Sequence, residues 1–129
     1  MSRVLSREVA FKLIFEYCIT GEKNDFSVEQ VLSENESADA EYVKQIYNGV
    51  TEKFTELESE LASKVNGFTI DRIFKIDLSL LVLALYEIKY MDSIPPVVSI
   101  NEVINLAKQY STEKSASYIN GVLSNFVGK

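Results

Sequence analysis

Between residues 76 and 90 the chain reads IDLSLLVLALYEIKY, about four turns of helix in which nearly every position is apolar. A surface helix keeps a polar face for water; this one has apolar residues on all sides and is stable only at the centre of a larger assembly. Its longest unbroken apolar run, 80–86, is far short of the roughly 20 residues a membrane span takes. The surroundings of this helix therefore have to be protein. No stretch elsewhere alternates with period two, so the expected fold is all-α.

Helical spacing of apolar residues extends over most of the chain. A first helix is expected over about 2–19, stopping near Gly21, and a short second one over about 26–32. The polar SENESAD at 33–39 reads as a loop that also caps the third helix. From about 40 to 66, Val43, Ile46, Tyr47, Val50, Phe54, Leu57, Leu61 and Val65 recur at three- and four-residue spacings, predicting one long third helix ended by Gly67. A short helix near 70–74 leads into the central one. Beyond Pro95 and Pro96, a helix over 97–110 carries Ile100, Val103, Ile104, Ala107 and Tyr110 on one stripe, and a last helix spans about 113–127. The chain is expected to be a single domain over 1–129, with an N-terminal helical bundle over about 1–66 and a C-terminal one over about 67–129.

Several function classes drop out on composition. Histidine is absent and Cys18 is the only cysteine, which removes imidazole-based nucleophile arrangements, an internal disulfide and the usual zinc sets. The five glycines form neither a dinucleotide fingerprint nor a phosphate-binding loop. No pair of carboxylates sits in a context suggesting a shared cleft. The expectation is a cytoplasmic, non-enzymatic protein without cofactor or metal, since Arg3, Arg7 and Glu8 interrupt the N-terminus too early for a signal peptide.

Net charge is −6, which at first argues against nucleic acid. Its distribution matters more. Residues 21–60 hold eleven Asp/Glu against three Lys, a local −8, while 1–20 and 61–129 each carry +1. A weak RNA binder remains allowed, and a strong non-specific one does not.

Read alone, the candidate residues leave alternatives open. Arg3 and Arg7 share a face of the first helix with Ile14, flanked by Ala10 and Phe11, and could be there for solubility and snorkelling. Tyr118, one turn after Lys114, reads equally as a stacking platform for a base or as a core aromatic with a wet hydroxyl. Phe15 favours the core. Glu87 lies near the C-terminal end of its helix, where the dipole disfavours an acid, so either a partner or pairing with Lys89 is needed to account for it. Asn101, Asn120, Gly121 and Gly49 read as architecture, the asparagines bonding to neighbouring helices and the glycines allowing close helix approach.

Five segments in register resemble the NusB family of bacterial transcription antitermination factors: SRVLSREVAFKLIFEY at 2–17, YNGV at 47–50, ALYE within 77–90, PVVSINEVINLAKQY at 96–110, and YINGVL at 118–123. The resemblance runs from about residue 3 to residue 127. It implies a compact all-α NusB-like fold of about seven helices in two helical bundles. It also implies a factor in antitermination and ribosomal RNA processing that binds single-stranded boxA RNA together with ribosomal protein NusE, within the RNA polymerase antitermination complex. Carried over to matching positions, it implies RNA contacts by Arg3, Arg7, Lys114, Tyr118 and Phe15, and a NusE contact by Glu87. The chain departs from the family where Val4, Leu5, Val82 and Ser117 stand at positions often basic in relatives, which predicts low RNA affinity alone and dependence on the partner. Homodimers that cover the RNA surface occur in the family, so a second copy of the chain is a further candidate partner. The alternatives are a protein-interaction module that has kept the fold and lost RNA binding, and an accessory domain acting in trans with an RNA methyltransferase.

Overall fold

The computed structural model describes residues 3–64 and 74–127. Among these are seven α-helices: α1 (Arg3–Thr20), α2 (Asp25–Glu34), α3 (Ala40–Glu52), α4 (Phe54–Lys64), α5 (Lys75–Tyr90), α6 (Pro96–Tyr110) and α7 (Glu113–Leu123), followed by a 3-10 turn at Ser124–Phe126. The helix expected near 70–74 lies almost wholly outside the described residues, as does Gly67.

Local chemistry sets the helix ends. Gly21 takes a left-handed φ of 76° and its N–H donates to the Tyr17 carbonyl at 2.8 Å, stopping α1 where a residue with a Cβ would be strained. The side chains of Asn24, Asp39 and Thr112 accept N–H bonds from the third residue on and so cap α2, α3 and α7. Pro96 opens α6 at the position where its missing N–H costs nothing.

One expectation needs correcting. The single long helix over 40–66 is two, α3 and α4, with a break at Lys53. Just ahead of the break, the Thr51 hydroxyl donates to the carbonyls of Tyr47 (2.9 Å) and Asn48 (3.1 Å). Such back-bonding competes with the helical ladder and bends it. The apolar spacing runs on across the break, since α3 and α4 both bury their faces in the same core.

That core forms around α5. Leu80, Leu81, Val82, Leu83, Ala84 and Leu85 are all fully buried, as a helix apolar on every side requires. Helices α1, α3, α4, α6 and α7 all pack against it. The Arg7–Glu87 and Cys18–Ser79 pairings show that α1 runs antiparallel to α5. Helix α3 crosses α5 where the Tyr86 ring lies on Gly49: a Cβ built at Gly49 would come within 2.2 Å of the Tyr86 Cζ. Only glycine permits that approach.

Candidate nucleic-acid interface

The sequence reading placed Arg7 at an RNA surface and Glu87 at a protein partner. The structure buries both, at 1% and 0% exposure, and pairs them with each other. Arg7 Nε donates to Glu87 Oε2 at 3.0 Å and Arg7 Nη2 to Oε1 at 3.2 Å, a two-pronged ion pair. The Tyr42 hydroxyl donates to Oε2 and the Ser99 hydroxyl to Oε1, the latter at 2.6 Å. Glu102 adds a second carboxylate 3.9 Å from the guanidinium. Burial alone would lower the Arg7 pKa, but the Glu87 hydrogen bond and the surrounding charges leave it raised, so the guanidinium stays charged. For Tyr42, burial first and the Glu87 charge second push the hydroxyl above its ordinary range, keeping it a donor. The network ties α1, α3, α5 and α6 together. Neither side chain is open to an RNA or a protein partner.

The physical reason is legible in α1. The face that Arg7 shares with Ile14 also has Ala10 and Phe11 beside it, and those three are buried at 0%, 0% and 3%. Arg7 follows them inward, and Glu87, itself surrounded by buried residues of α5, supplies the opposite charge.

Arg3, one turn earlier, emerges from that face with its side chain 45% exposed. Its guanidinium carbon sits 4.2 Å over the Tyr42 ring, and Nη2 is 3.7 Å from Asp39 Oδ2. Lys114 and Tyr118 lie on the other candidate surface, the first turns of α7; Lys114 is exposed and Tyr118 is 41% exposed. Burial, with Asp77 nearby, raises the Tyr118 hydroxyl above its ordinary range, so it remains a neutral ring. Asp77 fixes the start of α7 by accepting hydroxyl bonds from Ser111 (3.0 Å) and Ser115 (2.8 Å).

Because α1 and α5 are antiparallel, Arg3 lies near the Glu87 end of α5 and Tyr118 near the Asp77 end. The two candidate contacts are thus separated by much of the length of a helix, on the order of 15 Å for ten residues. Between them along α1, but about 180° around the helix from Arg3, lies a further cation. Lys12 is 4.0 Å from Glu8 but also sits 5.5 Å over the Tyr110 ring, whose hydroxyl donates to Glu8. Tyr110 in turn packs on Phe11 with ring centroids 5.4 Å apart, and Phe11 lies 6.5 Å from Phe15. Phe15 is half-buried against the core. Separate sites therefore replace a single cluster: Arg3 over Tyr42, Lys12 over Tyr110 on the opposite side of α1, and Lys114 one turn before Tyr118 on α7. Lys12 and Tyr110 were missed because they are 98 residues apart, and no spacing rule brings them together.

Asn101, Asn120 and Gly121 also need correcting. All three are exposed, and a Cβ at Gly121 would meet nothing within 4 Å. The close-approach role holds for Gly49 alone. Among the described residues no group of three or more Cys, Asp or Glu is placed to hold a metal ion, and no helix is long and apolar enough to cross a membrane.

Comparison with known proteins gives the family. The NusB family model matches residues 5–128. The transcription antitermination protein NusB of Clostridium botulinum (strain Loch Maree) is 38% identical over 141 residues, covering 98% of this chain and all of that one. Among solved structures, T. maritima NusB superimposes with a TM-score of 0.85 at 27% identity, over 98% of this chain and 90% of that one. A crystal structure of antitermination factors NusB and NusE with double-stranded RNA shares the fold, with a TM-score of 0.84 at 24% identity over 98% and 97% of the two chains.

Proposed function

The chain belongs to the NusB family, and from that premise we propose that it is a transcription antitermination factor that binds single-stranded boxA RNA jointly with ribosomal protein NusE. The observation that carries the RNA reading is the exposed Tyr118 ring one turn after exposed Lys114, on a helix anchored to the core through Asp77. A base can stack on such a ring whatever its identity, while the lysine meets the adjoining phosphate. Arg3, at the far end of α1, would hold a second phosphate of the strand. Phe15, half-buried, supports this surface from beneath.

The work is assembly and not catalysis. RNA, NusE and polymerase are brought together in the cytoplasm, and no bond is made or broken by this chain. Much of the cationic charge is already paired: Arg7 is consumed by the core, and Arg3, Lys12, Lys23, Lys44 and Lys89 each have a carboxylate within 4 Å. Affinity for single-stranded RNA scales with the phosphates neutralised, so the chain alone binds weakly. NusE then contributes the remaining contacts. With Glu87 buried, the NusE surface is carried by other residues.

The test is a titration of a boxA RNA oligonucleotide by this protein, with and without purified NusE, at low and physiological salt. Binding that is weak alone and at least tenfold tighter with NusE is expected. NusE association without RNA binding in any condition would replace this reading with that of a protein-interaction module, which the net charge of −6 would suit.

A further inference from the structure

The acidic segment at 21–60 contributes one residue to the candidate RNA surface itself. Asp39 sits at the junction of α1 and α3 and is held there three ways. Its backbone N–H donates to Ser6 Oγ at 2.7 Å, its Oδ1 accepts from the Tyr42 N–H at 3.3 Å, and its Oδ2 faces Arg3 Nη2 at 3.7 Å. The carboxylate is only 25% exposed, whereas the Arg3 side chain is 45% exposed. Aspartate is the fixed partner, and arginine the one free to leave.

Arg3 presents two different surfaces. One face of its guanidinium lies on the Tyr42 ring, leaving the N–H edge to make bonds. That edge is what a phosphate takes, and in this structure Asp39 faces it. An RNA phosphate arriving at Arg3 must displace a carboxylate of like charge that stays at the start of α3, held by its capping bond to the Tyr42 N–H.

We propose that Asp39 is a built-in competitor for RNA at Arg3: it lowers the affinity of the RNA contact at the start of α1, while Tyr42 holds the cation ready for exchange. This rests on the RNA reading above and assigns to one acid of the segment a negative role in recognition. It also gives a physical reason for the reliance on NusE, since the partner has to supply what the Arg3–Asp39 pair withholds.

The size of the effect follows from the exposure of the pair. An ion pair this open to water is worth at most about 1 kcal/mol, and the two- to fivefold tightening of RNA binding expected at low salt when Arg3 is freed corresponds to about 0.4–1 kcal/mol. The gain should shrink as added salt screens both the pair and the phosphates.

Asp39→Asn is a clean probe, because asparagine caps a helix as well as aspartate does and α3 keeps its start. Binding of the boxA oligonucleotide in the presence of NusE is measured by fluorescence anisotropy for the wild type, D39N, R3Q and the R3Q/D39N double variant. Glu36→Gln serves as a control for net charge, being an exposed acid of the same segment. The expected result is a two- to fivefold tighter Kd for D39N, little change for E36Q, and no gain from D39N when Arg3 is already glutamine. Equal gains from D39N and E36Q, or a D39N gain that persists without Arg3, would show a general charge effect and overturn the proposal alone. No RNA binding by the wild type with NusE would overturn the functional reading and this proposal with it.

Discussion

Replacing Glu87 by glutamine tests the reassignment of Arg7 and Glu87 from surface to core. The side-chain shape is unchanged, so any effect comes from charge and hydrogen bonding. Glu87 accepts from Arg7 Nε, Arg7 Nη2, the Tyr42 hydroxyl and the Ser99 hydroxyl. One hydroxyl can rotate to accept from the new amide N–H while the other still donates to the amide oxygen, so those bonds are recoverable. The charge is not. Arg7, 1% exposed, would be left with only Glu102, 3.9 Å away. Breaking a buried pair in this way costs about 3–5 kcal/mol, against a total of about 5–15 kcal/mol for a domain. For a chain of this length that is a fall in Tm of roughly 10–20 °C. Urea unfolding followed by helical circular dichroism should show a lower midpoint with an unchanged slope. Adding Arg7→Met to Glu87→Gln should recover much of the loss, because the uncompensated charge is then gone. A folded E87Q protein within about 0.5 kcal/mol of the wild type, the scale of ordinary surface substitutions, would refute the buried pair.

Gly49→Ala should lower stability by about 1–2 kcal/mol, since a methyl 2.2 Å from Tyr86 Cζ forces the ring aside and the cost outweighs the helix-propensity gain; restoration by Tyr86→Leu in the same chain would identify the ring as the cause. Gly121→Ala, with nothing within 4 Å, should instead stabilise by up to ~1 kcal/mol, read from the same urea midpoints. Stability should also fall at alkaline pH. Burial raises the hydroxyls of Tyr42, Tyr47 and Tyr86 in the folded state, so the unfolded chain loses these protons first; the stabilisation is complete below about pH 10 and is lost above it. A pH series of urea midpoints that stays level or rises from pH 9 to 11 would contradict this. Tyr118→Ala should weaken RNA binding by about 1–3 kcal/mol if a base stacks there, with the unfolding midpoint nearly unchanged; equal loss of both would mean that the ring is structural.

Patterns internal to one helix were legible in the sequence. The central place of α5 followed from its lack of a polar face, and the ends of α1, α5 and α6 fell within a residue of their expected positions because Gly21 and the two prolines punctuate the chain. The break at Lys53 was hidden because α3 and α4 bury one continuous apolar series, and the cause is a threonine hydroxyl whose back-bonding no apolar pattern records. Pairing across the fold was hidden more deeply. Arg7 and Glu87 are 80 residues apart, and each taken alone looks like a charge waiting for a ligand. Together they satisfy each other. Asn101, Asn120 and Gly121 erred in the opposite direction: polar and glycine residues inside amphipathic helices suggested packing, yet they face solvent. Gly49 was read correctly for a reason that could be stated in advance, since a glycine inside a helix is offset only by a neighbour lying where its Cβ would be.

The central proposal is that RNA meets Arg3, Lys114 and Tyr118, while the buried Arg7–Glu87 pair takes no part in contact. Its most direct test is a map of amide chemical-shift changes in the isotope-labelled protein, bound to NusE, on addition of boxA RNA. Changes are expected at the start of α1 and over the first turns of α7, with the Arg7 Nε–H signal keeping its slow exchange with water. Changes confined to other faces, or an Arg7 side chain that opens to exchange when RNA binds, would contradict it.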